Sequence, residues 1–110
     1  MEEILTVESF QRIMEMILAR GDRRTYCSRY NDNPHLEVDG FHAYLSPDVG
    51  QRNIDCDPAL SSFGELTIQD WSADPGVSYC SARVEGDRLV FDPRDAAALR
   101  RYFTTLLSLS

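Results

Sequence analysis

Residues 35–45 read His35-Leu36-Glu37-Val38-Asp39-Gly40-Phe41-His42-Ala43-Tyr44-Leu45. Polar and apolar side chains alternate on both sides of Asp39-Gly40, and an Asp-Gly pair accepts the positive φ angles of a tight two-residue turn. The stretch is therefore predicted to be a β-hairpin. Pairing across the turn sets Val38 opposite Phe41 and Leu36 opposite Ala43 on one face. The other face receives Glu37 with His42 and His35 with Tyr44. A slip by one residue would bury Glu37 and expose Phe41, so the pattern itself selects the register.

Downstream, the same reasoning continues the sheet. Residues 46–50 have turn composition, and Asn53 to Asp57 reads as a short strand with Ile54 and Cys56 inward and Asp55 and Asp57 outward. Leu66 to Trp71 is the next strand, with Leu66 and Ile68 on one face and Thr67, Gln69 and Trp71 on the other. A second hairpin spans Val77 to Phe91 with Gly86-Asp87 at its tip. Its register sets Val84 against Leu89, Ala82 against Phe91, and Glu85 against Arg88 as an outward ion pair.

Helices are predicted at both ends. Over residues 6–20, Val7, Phe10, Ile13, Met14, Ile17 and Leu18 recur at three- and four-residue steps. Thr6 can cap that helix, Leu5 can pack on Phe10, and Gly21 can stop it. Asp22-Arg23-Arg24 reads as a charged connector, Thr25 to Tyr30 as a strand, and Asn31 to Pro34 as a turn. At the other end Asp92 can cap, Pro93 suits the first helical position, and Asp95 favours the positive end of the helix dipole. Ala96, Leu99, Phe103, Leu106 and Leu107 form the apolar stripe that follows, with Ala98, Tyr102 and Leu109 widening it. The expected fold is α+β over one domain, residues 1–110. An N-terminal helix and a C-terminal helix pack on one face of a five- to six-stranded antiparallel, meander-like sheet.

Charge is unevenly spread. The 110 residues carry a net charge of −7, and all eleven cations are arginine. Between Asn31 and Cys80 lie nine carboxylates and one cation, Arg52, whereas the flanking thirds are close to neutral. The absence of lysine removes Schiff-base chemistry and the phosphate-binding P-loop lysine. Net negative charge disfavours nucleic acid and anionic lipid as direct ligands and favours a basic partner. No apolar run reaches the length of a membrane span, and no signal peptide is visible, so a cytoplasmic protein is expected. Cys27, Cys56 and Cys80 are odd in number and lack CxxC spacing, which favours free buried thiols over zinc or a redox pair.

No GxSxG, HExxH, GxGxxG or EF-hand pattern occurs, and no cofactor, metal or catalytic residue is assigned. His42 beside Glu37 could orient a general base, which defines an alternative reading as a small enzyme. Asp55 and Asp57 would sit about 6.6 Å apart on one side of a strand, too few oxygen ligands for a divalent ion by themselves. The reading adopted is a non-enzymatic inhibitor whose acidic sheet face docks on and blocks a basic protein, nucleic-acid-binding proteins being one class of such partner. Glu37, Asp39, Asp55, Asp57 and Asp70 would supply the charge, with Tyr44 and Trp71 as aromatic anchors.

In size, acidity and build the chain is similar to phage inhibitors of bacterial defence, of the anti-CRISPR type, and to immunity proteins. That similarity implies action by occupying a partner's surface. It also resembles type III secretion chaperones in being small and acidic, opening with an amphipathic helix and closing with strands and a helix. Their central helix has no counterpart in residues 46–78. A chaperone of that kind would act as a dimer through apolar surface, and here Tyr102 and Leu109 would supply a homodimer contact.

Overall fold

In the computed structural model, residues 3–20, 22–24, 33–38, 40–47, 63–72, 76 and 78–109 are described. The elements are α1 (Val7–Arg20), β1 (Asp22–Arg24), β2 (Asn33–Val38), β3 (Phe41–Pro47), β4 (Phe63–Asp70), β5 (Ser78–Glu85), β6 (Arg88–Phe91) and α2 (Ala96–Leu107). The six strands form one antiparallel sheet in the order β1-β2-β3-β4-β5-β6, a meander. Both helices pack against the sheet, α1 chiefly on β2 and β3 and against α2. The fold is α+β.

The hairpin between β2 and β3 adopts the register its alternation dictates: His35 faces Tyr44, Leu36 faces Ala43, Glu37 faces His42 and Val38 faces Phe41. Gly40 holds a φ of 94°, which a side chain would strain. The β5–β6 hairpin likewise pairs Glu85 with Arg88, Val84 with Leu89 and Ala82 with Phe91, and Gly86 turns at a φ of 64°. The outward ion pair there differs from expectation. Glu85 bonds Arg83, two residues away on its own strand, at 2.6 Å.

Three further differences have clear physical origins. Asp22–Arg24, expected as a connector, is strand β1, paired to β2 with Asp22 opposite His35. Three charged residues carry no alternation to read. Strand β4 begins at Phe63, ahead of the expected Leu66. In α1, Met16 is buried with Phe10, Ile13 and Ile17, while Leu18 is 41% exposed. Each helical step turns about 100°, so Leu18 swings away from the Ile17 stripe. The strands expected at 25–30 and 53–57 lie outside the described residues.

Alternation along the strands sends Phe41, Ala43 and Leu45 of β3, Leu66 and Ile68 of β4, and Cys80 and Ala82 of β5 toward the helices. There they meet Phe10, Ile13 and Ile17 of α1 and Leu99, Phe103 and Leu106 of α2. Each Leu, Ile or Phe among them contributes roughly 1.5–3 kcal/mol on full burial, before the entropy of ordering is subtracted.

Local bonds fix the helix entries. The Thr6 hydroxyl accepts from the Ser9 amide at 3.1 Å, capping α1. Asp92 accepts from the Arg94 amide at 2.9 Å, starting a single 3-10 turn at Pro93–Asp95 from which α2 continues. Arg100 of α2 reaches the Glu3 carboxylate at 2.9 Å, and that hydrogen bond is the main reason Glu3 titrates at about 2.

Candidate partner-binding face

The sheet face turned away from the helices carries the polar half of each strand's alternation. Across β2, β3, β4 and β5, one row runs Glu37, His42, Gln69, Tyr79, and the next runs His35, Tyr44, Thr67, Ser81. Trp71 lies just beyond β4, where its amide donates to the Gly40 carbonyl at 2.9 Å. That bond ties the tryptophan to the tip of the first hairpin.

The residues at this corner hold one another. His42 Nε2 lies 3.2 Å from the Glu37 carboxylate. Its ring meets Trp71 edge-on at 4.2 Å between centroids, and the His35 ring lies at 5.7 Å. Both histidines are buried, whereas the Glu37 side chain is 70% exposed. A molecule approaching this corner therefore meets the Glu37 carboxylate and the Trp71 indole before it meets either imidazole. Thr67 and Ser81 hydroxyls sit 3.3 Å apart in the adjacent row.

Trp71 is 46% exposed and Tyr79 is 60% exposed. Tyr79 faces Gln69 across the β4–β5 ladder, and Trp71 is two residues past Gln69 on the same side. The two aromatic side chains therefore share the outer surface, with the Trp71 ring leaning on His42 of β3 and Tyr79 standing on β5, the other neighbour of β4. Tyr79 had escaped the sequence reading. Extending the second hairpin's alternation back from Val84 and Ala82 to Cys80 would have turned it outward.

The residues expected to form the site divide into three groups. Glu37 and Trp71 come together and are exposed, with Tyr44 on the same face but half-buried. Asp39, Asp55 and Asp57 lie outside the described residues. Asp70, expected among the docking carboxylates, is turned to the helix side and is only 4% exposed. It shares the parity of Leu66 and Ile68, so β4 necessarily sends it toward α2.

Asp70 is a structural carboxylate. One oxygen accepts from the Ser72 amide at 2.8 Å and from the Ser72 hydroxyl at 2.5 Å. The other accepts from the Tyr102 hydroxyl and from Arg101 at 3.2 Å. Burial by itself pushes Asp70 upward, but the bonds from Ser72 and Tyr102, with the Arg101 charge, outweigh it and hold the carboxyl below its ordinary range. Burial and the adjacent Asp70 push the Tyr102 phenol up to about 12.

Tyr102 is consequently 3% exposed, its ring 4.8 Å from Phe41, and it offers nothing to a homodimer contact. Leu109 remains 37% exposed. Burial, then Asp95 and Asp70, raise the Cys80 thiol to about 12.

Among the described residues no group of His, Cys, Asp and Glu has the disposition of a metal site, and no helix is long and apolar enough to cross a membrane. The outer face instead combines two exposed aromatics with a carboxylate. No family model matches the sequence, and neither a curated protein nor a solved structure matches the chain.

Proposed function

We propose that this protein is a non-enzymatic binding protein that docks its outer sheet face on a basic surface of a protein partner and blocks it. The observation that carries the reading is that Trp71, Tyr79 and Glu37 are all exposed on the same outer face of the sheet. Aromatic anchors with a charged neighbour are the composition of interface hot spots, where a large planar side chain desolvates at small entropic cost. Tyr79 stands on a strand and Trp71 is tied through its amide to Gly40, so little ordering entropy is spent on binding.

The charge of −7, concentrated in residues 31–80, supports a basic partner. A negative field accelerates encounter with a positive surface and competes with any polyanion for that surface. The partner is therefore a protein with an exposed arginine- or lysine-rich patch, of the kind that handles nucleic acid. Blocking such a patch is inhibition in the anti-CRISPR or immunity-protein manner. We place the action in the cytoplasm, in keeping with Cys80 as a free, buried thiol.

Tagged protein is used to capture partners from lysate, with nuclease and across a salt series. A basic protein retained after nuclease and released progressively by salt supports the reading. Retention that ignores salt, or that vanishes with nuclease, overturns it.

A further inference from the structure

Among the described residues the sheet ends at β6, whose only neighbour is β5. Glu85 and Arg88 flank the two-residue turn and exchange both ladder bonds, so Arg88 and Val90 direct their backbone groups at β5. Leu89 and Phe91 then direct their N–H and C=O away from the sheet. Among the described residues nothing pairs with those groups. Asp92 continues the extended backbone at φ −69° and ψ 125° before Pro93 ends it. An uncovered edge of this kind is a template for another strand.

We propose that two copies of this chain pair through β6, antiparallel and two-fold about Val90, to form one continuous sheet. That register satisfies the edge and the side chains together. Leu89 of each copy faces Phe91 of the other, and each such pair exchanges both its backbone bonds. On the helix side this brings Leu89 against Phe91, both half-buried in one chain, as two apolar contacts. On the outer side Val90 meets its own copy on the axis, and Arg88 of each chain faces Asp92 of the other.

Local charge accommodates this partner. Arg88 is exposed and makes no ion pair among the described residues, because Glu85 is held by Arg83. Asp92, at the far end of the strand, is exposed and bonded to its own Arg94 at 2.8 Å, and with Glu65 it lines a cavity of about 190 Å³ next to Val90. Arg88 of the second copy would arrive at the mouth of that cavity and join the Asp92–Arg94 pair. Neighbouring registers lose the match. A two-fold about Leu89 puts Arg88 opposite Val90, and one about Phe91 sets Leu89 opposite Pro93, which has no N–H. Self-complementarity about an axis is what a two-fold interface requires.

Analytical ultracentrifugation of the wild type and of Val90→Glu tests the proposal, with circular dichroism to check each fold. The wild type sediments at twice the 12.5 kDa chain mass, with dissociation on dilution. Val90→Glu, which sets two carboxylates against each other on the axis, sediments as a folded monomer. A wild type that stays monomeric at every concentration, or a Val90→Glu variant that still dimerises, overturns it.

Val90→Cys gives an independent answer should the glutamate disturb folding. Facing residues of a non-hydrogen-bonded antiparallel pair are about 4.5 Å apart between Cα atoms, within disulfide range. Mild oxidation crosslinks Val90→Cys into dimers and leaves Asp87→Cys, at the turn tip, uncrosslinked. Failure of Val90→Cys to crosslink, or equal crosslinking of both, contradicts the register.

Discussion

Replacing Asp70 with asparagine tests the joint between the sheet and α2. The carboxylate accepts from the Ser72 amide, the Ser72 hydroxyl, the Tyr102 hydroxyl and Arg101. All four are donors, and an asparagine would aim its own NH₂ donor at one pair of them. A hydrogen bond to a charged group contributes about 1.5–3 kcal/mol, a neutral one about 0.5–1.5. The Arg101 side chain is 67% exposed, so its contact adds little. Losing the charge assistance of the Ser72 and Tyr102 bonds therefore costs about 2 kcal/mol, or roughly 8 °C in Tm for a domain of this size.

The pH dependence gives a sharper signature. The folded pKa of Asp70 lies below its unfolded value, so its contribution is fully present above the unfolded pKa, about 4, and is lost as pH falls through the folded value. Urea unfolding of wild type and Asp70→Asn at a series of pH values should show a gap of about 2 kcal/mol near neutrality that closes in acid. An Asp70→Asn variant as stable as wild type at pH 7, or a gap that persists unchanged below pH 3, would refute the reasoning.

Two further outcomes follow from the same core. The Tyr102 phenol is held at about 12, so ultraviolet titration should contain a late tyrosinate step that Tyr102→Phe removes. Because the folded value exceeds the ordinary 10, that stabilisation is complete below about pH 10 and falls away above it. A Tyr102→Phe protein with the same late step would contradict the assignment. Cys80, buried with its thiol raised to about 12, should resist alkylation at pH 8 in the folded protein and react on unfolding. Mass spectrometry of the Cys80 peptide after timed iodoacetamide exposure reads this directly, and rapid labelling without unfolding would contradict the packing.

Both hairpin registers were legible because a period of two is unambiguous when a Gly-containing tight turn marks its centre, as at Gly40 and Gly86. The helices were legible from their stripes and caps, with the burial of Met16 and Tyr102 decided by neighbours that sequence spacing does not contain. Asp70 shows where local reading ends. A carboxylate at an inward position is interpretable only once Tyr102, 32 residues away, is known to meet it. Strand β1 escaped because Asp22-Arg23-Arg24 has no apolar member, so only its pairing with β2 reveals it. Of the candidate face, Glu37 and Trp71 were readable from alternation. Tyr79 was equally readable from it and is the more exposed of the two aromatics.

The most direct test of the docking face compares three proteins on one captured partner: wild type, Trp71→Ser/Tyr79→Ser, and Leu18→Ser. Leu18 is an exposed apolar residue on α1, the side of the sheet away from the aromatic pair, and serves as the control. Titration calorimetry at low and moderate salt is the measurement. The account predicts at least a hundredfold weaker binding for the Trp71/Tyr79 variant, about 2.7 kcal/mol, with Leu18→Ser unchanged and wild-type affinity falling with salt. Equal affinity of the Trp71/Tyr79 variant and the wild type would contradict it.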